Sequence, residues 1–349
     1  MPGIKNVSRF TLFLMLVLFG SYAFLGKAHG GTIQGTVRDS VSNNPIPGIF
    51  VDAFEVNFGF ASTSGSSNTT DANGNYSIIV GGGTYKVFFK DTIGAAYVGQ
   101  WYNGASSYST ATPVTVGGSP VAGIDAKMAK PPTADGGSIN GSVTGPNGAG
   151  ASNVLVSVFD YGQPVESERG LDSAVTIGPG SYVIGSIFPP GNYRIKFRDQ
   201  NIGNNTMNQW WNGKDGFSKA DPLPVTANSV SHANANLLTG GIITGTITGP
   251  GEIPLPAVFP IVYDQDKIVP GLIIASSNAA GAYKITRLPS GNYKVLFRAL
   301  PGSHLASQWY NHQSSFSQGD LVPVTAGSTT ANIDAQLLLA IYLPLILNN

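Results

Sequence analysis

Apolar and polar residues alternate with a period of two in short stretches along most of the chain. The stretch Gly191–Arg198, GNYRIKFR, is the clearest example: Tyr, Ile and Phe fall on one side and the basic residues on the other. This pattern predicts a β-strand with one buried face. No comparable stretch of helical periodicity follows the N-terminal segment. We therefore predict an all-β protein.

The alternating stretches recur with a spacing of roughly 100 residues, the size of an ordinary domain. A strand with a central glycine occurs at Thr32–Val37, Ser138–Val143 and Ile242–Ile247, and the GNYRIKFR pattern returns at Gly83–Lys90 and Gly291–Arg298. A glycine two positions before a tyrosine also recurs, as Gly74 and Tyr76, Gly180 and Tyr182, and Gly281 and Tyr283. One module is therefore present three times.

The repeat predicts three tandem Greek-key-type β-sandwich domains after an N-terminal signal segment. Each copy is long enough to bury a core of its own. The predicted divisions are a signal peptide at 1–28, sandwiches at 29–130, 137–239 and 240–338, a Pro-containing linker at 131–136, and an apolar C-terminal tail at 339–349.

The recurring motifs G-x-I-x-G-x-V, G-x-Y-x-I and G-x-Y-K/R-V/I-x-F resemble those of the carboxypeptidase regulatory-like domains. The resemblance extends from Gly31 to Leu338, three times. It implies a transthyretin- or prealbumin-like sandwich that is itself non-catalytic. Because that fold is similar to the starch-binding-domain-like group, it also implies carbohydrate binding as an alternative.

The N-terminus has the layout of a secretory signal. Lys5 and Arg9 precede the apolar run Phe10–Gly20, and small residues follow. This order predicts export with cleavage after Ala28. A retained membrane anchor is the alternative, although the run is short for a span. Export of a chain without cysteine is typical of a bacterial secreted or cell-surface protein.

Composition narrows the possible partners. Lys plus Arg and Asp plus Glu are 19 each, and charged residues make up only 11% of the chain, against roughly 25% in ordinary soluble proteins. This balance gives no electrostatic basis for binding nucleic acid or an anionic membrane. The absence of cysteine excludes disulfides, a thiol nucleophile and thiolate metal sites.

Candidate catalytic and metal-binding groups are sparse. The histidines show no ligand spacing, so no metal or other cofactor is expected. Asp160 with Glu166, or Asp264 with Asp266, could form a carboxylate pair, but solvated loop residues explain them as well. Asp71–Asn75 resembles a calcium loop, but an Asn-Gly turn also accounts for it. We therefore expect no enzyme activity.

All four tryptophans fall in one recurring string, QWYNG at Gln100–Gly104, QWWNG at Gln209–Gly213 and QWYNH at Gln308–His312. Two interpretations remain open, separately or together. The first aromatic ring plugs the open end of its sandwich while Asn-Gly makes a turn, or the rings stack on sugars, the second ring being the more exposed. The candidate ligand-binding residues are Trp101, Tyr102, Trp210, Trp211, Trp309 and Tyr310.

These features predict an exported, non-catalytic surface or secreted protein that serves as a spacer and adhesion array. The expected partners are a polysaccharide or cell-surface glycan, or other surface proteins. The alternative function is a carbohydrate-binding accessory of a polysaccharide hydrolase. The apolar tail, Leu337–Asn349, is too short to span a bilayer. It is either a surface-retention element or an extended last strand.

Overall fold

A computed structural model describes residues 30–56, 69–92, 94, 96–131, 135–164, 166–167, 170–201, 203–264, 270–274, 276–300 and 302–340. The predicted signal peptide and residues 341–349 of the predicted tail lie outside these ranges. None of the described residues forms a helix with the length and apolarity that crossing a membrane requires.

Within these ranges the chain forms three units of β-strands, joined by turns and four short 3-10 segments at Tyr102–Gly104, Trp211–Gly213, Phe217–Lys219 and Pro250–Glu252. Unit 1 consists of β1 (Gly31–Asp39), β2 (Ile49–Glu55), β3 (Asn75–Val80), β4 (Gly83–Asp91), β5 (Gln100–Trp101), β6 (Val114–Val116) and β7 (Ala126–Met128). Unit 2 consists of β8 (Ser138–Thr144), β9 (Val154–Asp160), β10 (Asp172–Val175), β11 (Ser181–Val183), β12 (Gly191–Asp199), β13 (Gln209–Trp210), β14 (Leu223–Val225), β15 (Val230–His232) and β16 (Ala235–Asn236). Unit 3 consists of β17 (Gly241–Thr248), β18 (Phe259–Asp264), β19 (Pro270–Ile274), β20 (Ala282–Leu288), β21 (Gly291–Arg298), β22 (Gln308–Trp309), β23 (Val322–Val324), β24 (Thr329–Thr330) and β25 (Ala335–Gln336).

Each unit is a sandwich of two sheets. In one sheet the first strand is central, antiparallel to a neighbour on one side and parallel to the last strand or strands of the unit on the other, as in the order β3-β1-β7. The second sheet has the order β2-β4-β5, with β6 also paired to β4. Units 2 and 3 repeat both arrangements. The predicted all-β architecture of three tandem Greek-key-type sandwiches is confirmed.

The cores form as the alternation predicts. Tyr85, Val87 and Phe89 of β4 pack against Ile33 and Val37 of β1, and all of these side chains are at most 1% exposed. The equivalent strands of units 2 and 3 provide Tyr193, Ile195 and Phe197, and Tyr293, Val295 and Phe297. Burial of these apolar faces is the main stabilising contribution in each unit.

In every unit a tyrosine hydroxyl reaches across the first strand to the segment that precedes the last strand. Tyr76 donates to the carbonyl oxygen of Ile124 at 2.6 Å, Tyr182 donates to Ala233 at 2.6 Å, and Tyr283 donates to Ile333 at 2.5 Å. Each acceptor belongs to the segment that leads into the last strand. A buried hydroxyl requires such a partner, which explains why this tyrosine recurs in all three copies.

The glycine in the first strand makes this approach sterically possible. A Cβ added to Gly141 would lie 2.3 Å from the Ala233 carbonyl oxygen, and the corresponding distance is 2.2 Å from Gly35 to Ile124 and from Gly245 to Ile333. Any side chain there would push the last segment away from the first strand. The glycine therefore recurs because backbone meets backbone at this point.

We expect Gly141→Ala to lower the free energy of unfolding of unit 2 by about 3 kcal/mol, because the methyl group overlaps a backbone carbonyl that cannot move without breaking the Tyr182 bond. Urea unfolding monitored by circular dichroism measures the change. Gly216→Ala is the matched control, since a Cβ at Gly216 meets no atom within 4 Å. Equal effects of the two substitutions would contradict this explanation.

Candidate functional site

The first QWYNG string forms a tight turn. The backbone N–H of Trp101 donates to the carbonyl of Ala105 at 2.9 Å, and Asn103 and Gly104 lie between them with φ angles of 64° and 70°. These left-handed conformations favour Asn and Gly over other residues. The Asn103 side chain lies 3.3 Å from the Thr112 hydroxyl. The Asn-Gly pair therefore makes a turn, as the sequence indicates.

The other two strings form the same turn. The Asn212 amide donates to Asp221 at 3.0 Å, and the Asn311 amide donates to Asp320 at 2.6 Å. In unit 3 the glycine is replaced by His312, which holds a φ of 60°. A β-carbon is unfavourable in that conformation, so this turn is more strained than the other two.

The first aromatic ring of the string lies on the outer face of the second sheet, away from the core of its own unit. Trp101 is paired with Phe88 of β4, and its ring lies 4.9 Å from Phe88, 5.5 Å from Phe54 and 5.3 Å from Tyr108. Its side chain has no exposed surface. The sequence-based interpretation that this ring plugs its own sandwich is thus wrong about its position.

The second aromatic ring of each string, and not the first, packs against the core of its own sandwich. Tyr102, Trp211 and Tyr310 are all half-buried, each packed against the core of its own unit. Neighbouring residues of an extended strand point to opposite sides. The string therefore places one ring at the core and the other on the outer face.

Exposure of the first ring differs between the units. Trp210 is 3% exposed and packs on Phe159 and Phe217, at centroid distances of 5.2 and 5.4 Å. Trp309 makes the corresponding contacts with Tyr263 and Phe316 at 5.0 and 5.3 Å, but remains half-buried. A fully buried ring has no free face for a sugar, so of the first rings only Trp309 has a partly accessible surface. Glycan contact by the six candidate residues otherwise stays a prediction.

Trp101 is buried because unit 2 covers it. The indole Nε1–H donates to the Asp160 carboxylate at 3.1 Å, and the Tyr108 backbone N–H donates to the same oxygen at 2.7 Å. Burial raises the pKa of the Asp160 carboxyl above its ordinary value, and the hydrogen bonds from Tyr108, Gly162 and Trp101 act in the opposite direction. Asp160 therefore joins two units through an acceptor placed at the end of β9.

A second polar contact lies on the same covered face. Lys90 forms an ion pair with Asp52 at 3.2 Å, and both side chains are almost fully buried. The Lys90 ammonium also donates to the carbonyl of Leu171 in unit 2 and lies 4.8 Å from the centre of the Phe50 ring. A buried ammonium group needs such partners, and one of them belongs to the next unit.

The junction between units 2 and 3 is centred on one arginine of unit 3. The Arg287 guanidinium donates to the carbonyls of Asp199 at 2.7 Å and Asn204 at 3.0 Å, and also to that of Asn201. The Asn205 side chain accepts from the Arg287 backbone N–H at 2.8 Å. A planar guanidinium with several donors suits a cluster of carbonyl oxygens. Both junctions are therefore held by specific hydrogen bonds.

The carboxylates proposed as catalytic pairs have separate structural roles. Asp160 faces unit 1, whereas Glu166 forms an ion pair with Lys196. Asp266 lies outside the described residues, so the pair Asp264 and Asp266 is left as predicted. Among the described residues, no group of three or more metal-ligating side chains is arranged around a common point.

The turn that resembles a calcium loop satisfies its own oxygen atoms. Asp71 accepts from the backbone N–H groups of Asn73 and Asn75 at 2.9 and 2.8 Å. The bond from Asn75 is the main cause that lowers the pKa of Asp71. In unit 3 the Asn278 amide oxygen accepts two equivalent bonds at 3.0 Å. A neutral amide therefore accepts the same two backbone hydrogen bonds as the Asp71 carboxylate. This equivalence favours the interpretation as a turn over a calcium loop.

Sequence reasoning missed the outer sheet face as a contact surface. Alternation breaks at Val87-Phe88-Phe89 in unit 1 and at Val295-Leu296-Phe297 in unit 3, whereas unit 2 keeps a lysine, Lys196, between its apolar neighbours. Phe88 points away from the core of its own unit and belongs to the apolar cluster shared with unit 2. The broken alternation is the signal that could have revealed this face.

Comparison with known proteins gives a distant resemblance. No known family matches the sequence, and no curated protein matches it. Among solved structures, the chain is similar to the minor pilin GBS52 of Streptococcus agalactiae, with 11% identity over 60% of this chain and 99% of the pilin, at a TM-score of 0.30. It is similar to a streptococcal ancillary pilin with 10% identity over 85% and 99% of the two chains, at a TM-score of 0.31.

The Bacillus anthracis TIE protein is similar over 88% of this chain, with 12% identity and a TM-score of 0.26. This chain spans only 51% of the TIE protein. At such identities and TM-scores, the similarities carry no conclusion about activity or partners.

We expect Asp160→Ala to destabilise the junction between units 1 and 2 by about 2–4 kcal/mol, because the Trp101 Nε1–H and the Tyr108 N–H lose a buried acceptor. Acrylamide quenching of tryptophan fluorescence and thermal unfolding would measure the loosening. Asp215→Ala is the control, because Asp215 forms only an exposed ion pair with Lys219. Unchanged quenching in the Asp160 variant would contradict the assignment of Asp160 to the junction.

Proposed function

We propose that the protein is an exported, non-catalytic surface or secreted protein in which three sandwiches form a stiff spacer that presents adhesion contacts. The observation that carries the proposal is the junction between units 1 and 2, where Trp101, Lys90 and Asp160 are buried and hydrogen-bonded across the boundary. A flexible string of modules would not need buried polar contacts between modules.

The repeated residues support this proposal because their roles are structural. Tyr76 and its equivalents bond the last segment, and the asparagine of each string begins a turn. The unit-specific residues Asp160 and Arg287 join neighbouring units. We further propose that the domains follow the predicted divisions at 29–130, 137–239 and 240–338, and that each belongs to the carboxypeptidase regulatory-like, prealbumin-like group. The N-terminal segment supports export and a location at or beyond the cell surface.

If the protein is a stiff spacer, small-angle scattering of the secreted form at low protein concentration should fit one extended, rigid particle. Arg287→Ala removes the side-chain bonds to three carbonyls of unit 2, so we expect a more flexible particle, visible as a raised high-angle region of the Kratky plot. Lys284→Ala is the matched control on the same strand, at an exposed position. A wild-type profile that already requires independently moving units would contradict the spacer function.

Carbohydrate binding is the second candidate, and the half-buried state of Trp309 and Tyr310 is the observation that favours it. If unit 3 stacks on sugars, insoluble starch, cellulose or chitin should retain the secreted form, and Trp309→Ala should lower that retention about tenfold or more, as expected for loss of a central aromatic contact. Leu321→Ala, at an exposed position of the same unit, is the control. Equal retention of both variants and wild type would remove Trp309 from the proposal.

A further inference from the structure

The two junctions use equivalent segments of the repeat. One is the entering segment, the residues just before the GNYRIKFR-type strand, represented by Ile187 in unit 2 and Arg287 in unit 3. The other is the receiving segment, the residues just before the QW string. The Gly99 N–H donates to the carbonyl of Ile187 at 2.8 Å, and the Arg287 N–H donates to the Asn205 side chain at 2.8 Å.

The linkers at the two junctions differ, but the same two segments of the repeat meet at both, through different hydrogen bonds. Thr239 and Gly240 lead directly into unit 3, whereas the predicted linker 131–136 separates units 1 and 2. The pairing of entering and receiving segments is therefore a property of the units themselves. It does not depend on one particular length of connecting chain.

Exposure shows which of these segments have a partner. In the receiving segment, Val98 is 6% exposed and Met207 is 8% exposed, but the equivalent Ala306 in unit 3 is exposed. In the entering segment, Ile187 and Arg287 are half-buried, but the equivalent Ile79 in unit 1 is 46% exposed. Among the described residues, the receiving segment of unit 3 and the entering segment of unit 1 therefore expose the positions that are covered at the two internal junctions.

The outer face of unit 3 also resembles the covered face of unit 1. Leu296 is paired with Trp309 as Phe88 is paired with Trp101. Unit 2 has Lys196 at this position, and the cluster around its Trp210 contains residues of unit 2 alone among those described. An apolar residue occupies the position in unit 1, where another unit docks, and also in unit 3.

We propose that the outer face of unit 3 and its receiving segment bind unit 1 of a second copy of this chain, head to tail, as unit 1 binds unit 2. Two different surfaces form this contact, so a pair of chains joined by one contact keeps one free surface at each end, and further copies add until a ring closes or a filament forms. The proposal rests on the internal junctions, and it is independent of the spacer and adhesion function.

Two substitutions separate the two sides of the contact. Leu296→Lys introduces the residue that unit 2 already carries at the equivalent position, and Ile79→Glu places a charge on the exposed entering segment. Val230→Lys and Val183→Glu are the matched controls at exposed positions on the first sheet of unit 2. Ala306→Glu, at an exposed position of the receiving segment, is a second variant for the unit 3 side. Circular dichroism verifies that each variant is folded.

Sedimentation velocity of the secreted form over concentrations from about 1 μM to about 1 mM should show concentration-dependent growth beyond a dimer. Each of the Leu296, Ala306 and Ile79 variants alone should remain monomeric, with association weakened about tenfold or more, while the control variants assemble normally. A mixture of Leu296→Lys and Ile79→Glu chains should form one-to-one dimers and nothing larger, because each chain keeps one intact surface.

Three results would overturn the proposal. They are a wild-type chain that stays monomeric throughout the concentration range, assembly that the three variants leave unchanged, and self-dimerisation of either single variant, which would indicate a symmetric contact. None of these results affects the rigidity of the single chain, which is measured by scattering at low concentration.

Discussion

Each sandwich depends on the close approach of its last segment to the glycine at the centre of its first strand. Gly35, Gly141 and Gly245 allow a carbonyl oxygen to occupy the space that a β-carbon would need. A tyrosine hydroxyl then donates to that same carbonyl. This contact fixes the last strand beside the first and so completes the core, because neither sheet can bury its apolar face without the other.

The three units have equivalent cores, and they differ mainly on the outer face of the second sheet. Phe88 and Trp101 make that face apolar in unit 1, and unit 2 covers it with the Asp160 carboxylate at the buried centre. Lys196 makes the face polar in unit 2, and unit 3 is joined instead through Arg287. A chain with few charges therefore places several of them between its units.

Most of the fold could be predicted from the sequence, because period-two alternation and recurrent Gly and Tyr positions are local consequences of strand geometry and turns. The contacts of the candidate site were harder to predict from the sequence. Alternation separates the two faces of a strand but does not reveal that an outer face is covered by another unit, so the sequence did not distinguish the positions of Trp101 and Tyr102. Asp160 resembled a solvated loop residue because its partners, Trp101 and Tyr108, lie more than 50 positions earlier in the chain.

The parallel pairing of the first and last strands has a mechanical consequence. In unit 1, β1 and β7 run side by side in the same direction, with Val37 opposite Ala126 and Asp39 opposite Met128. Tension applied to the two ends of a unit pulls these strands in opposite directions along their axes. The bonds between them are loaded in shear and must break together, not one after another as in peeling. Each sandwich is thus built to resist being drawn out lengthwise.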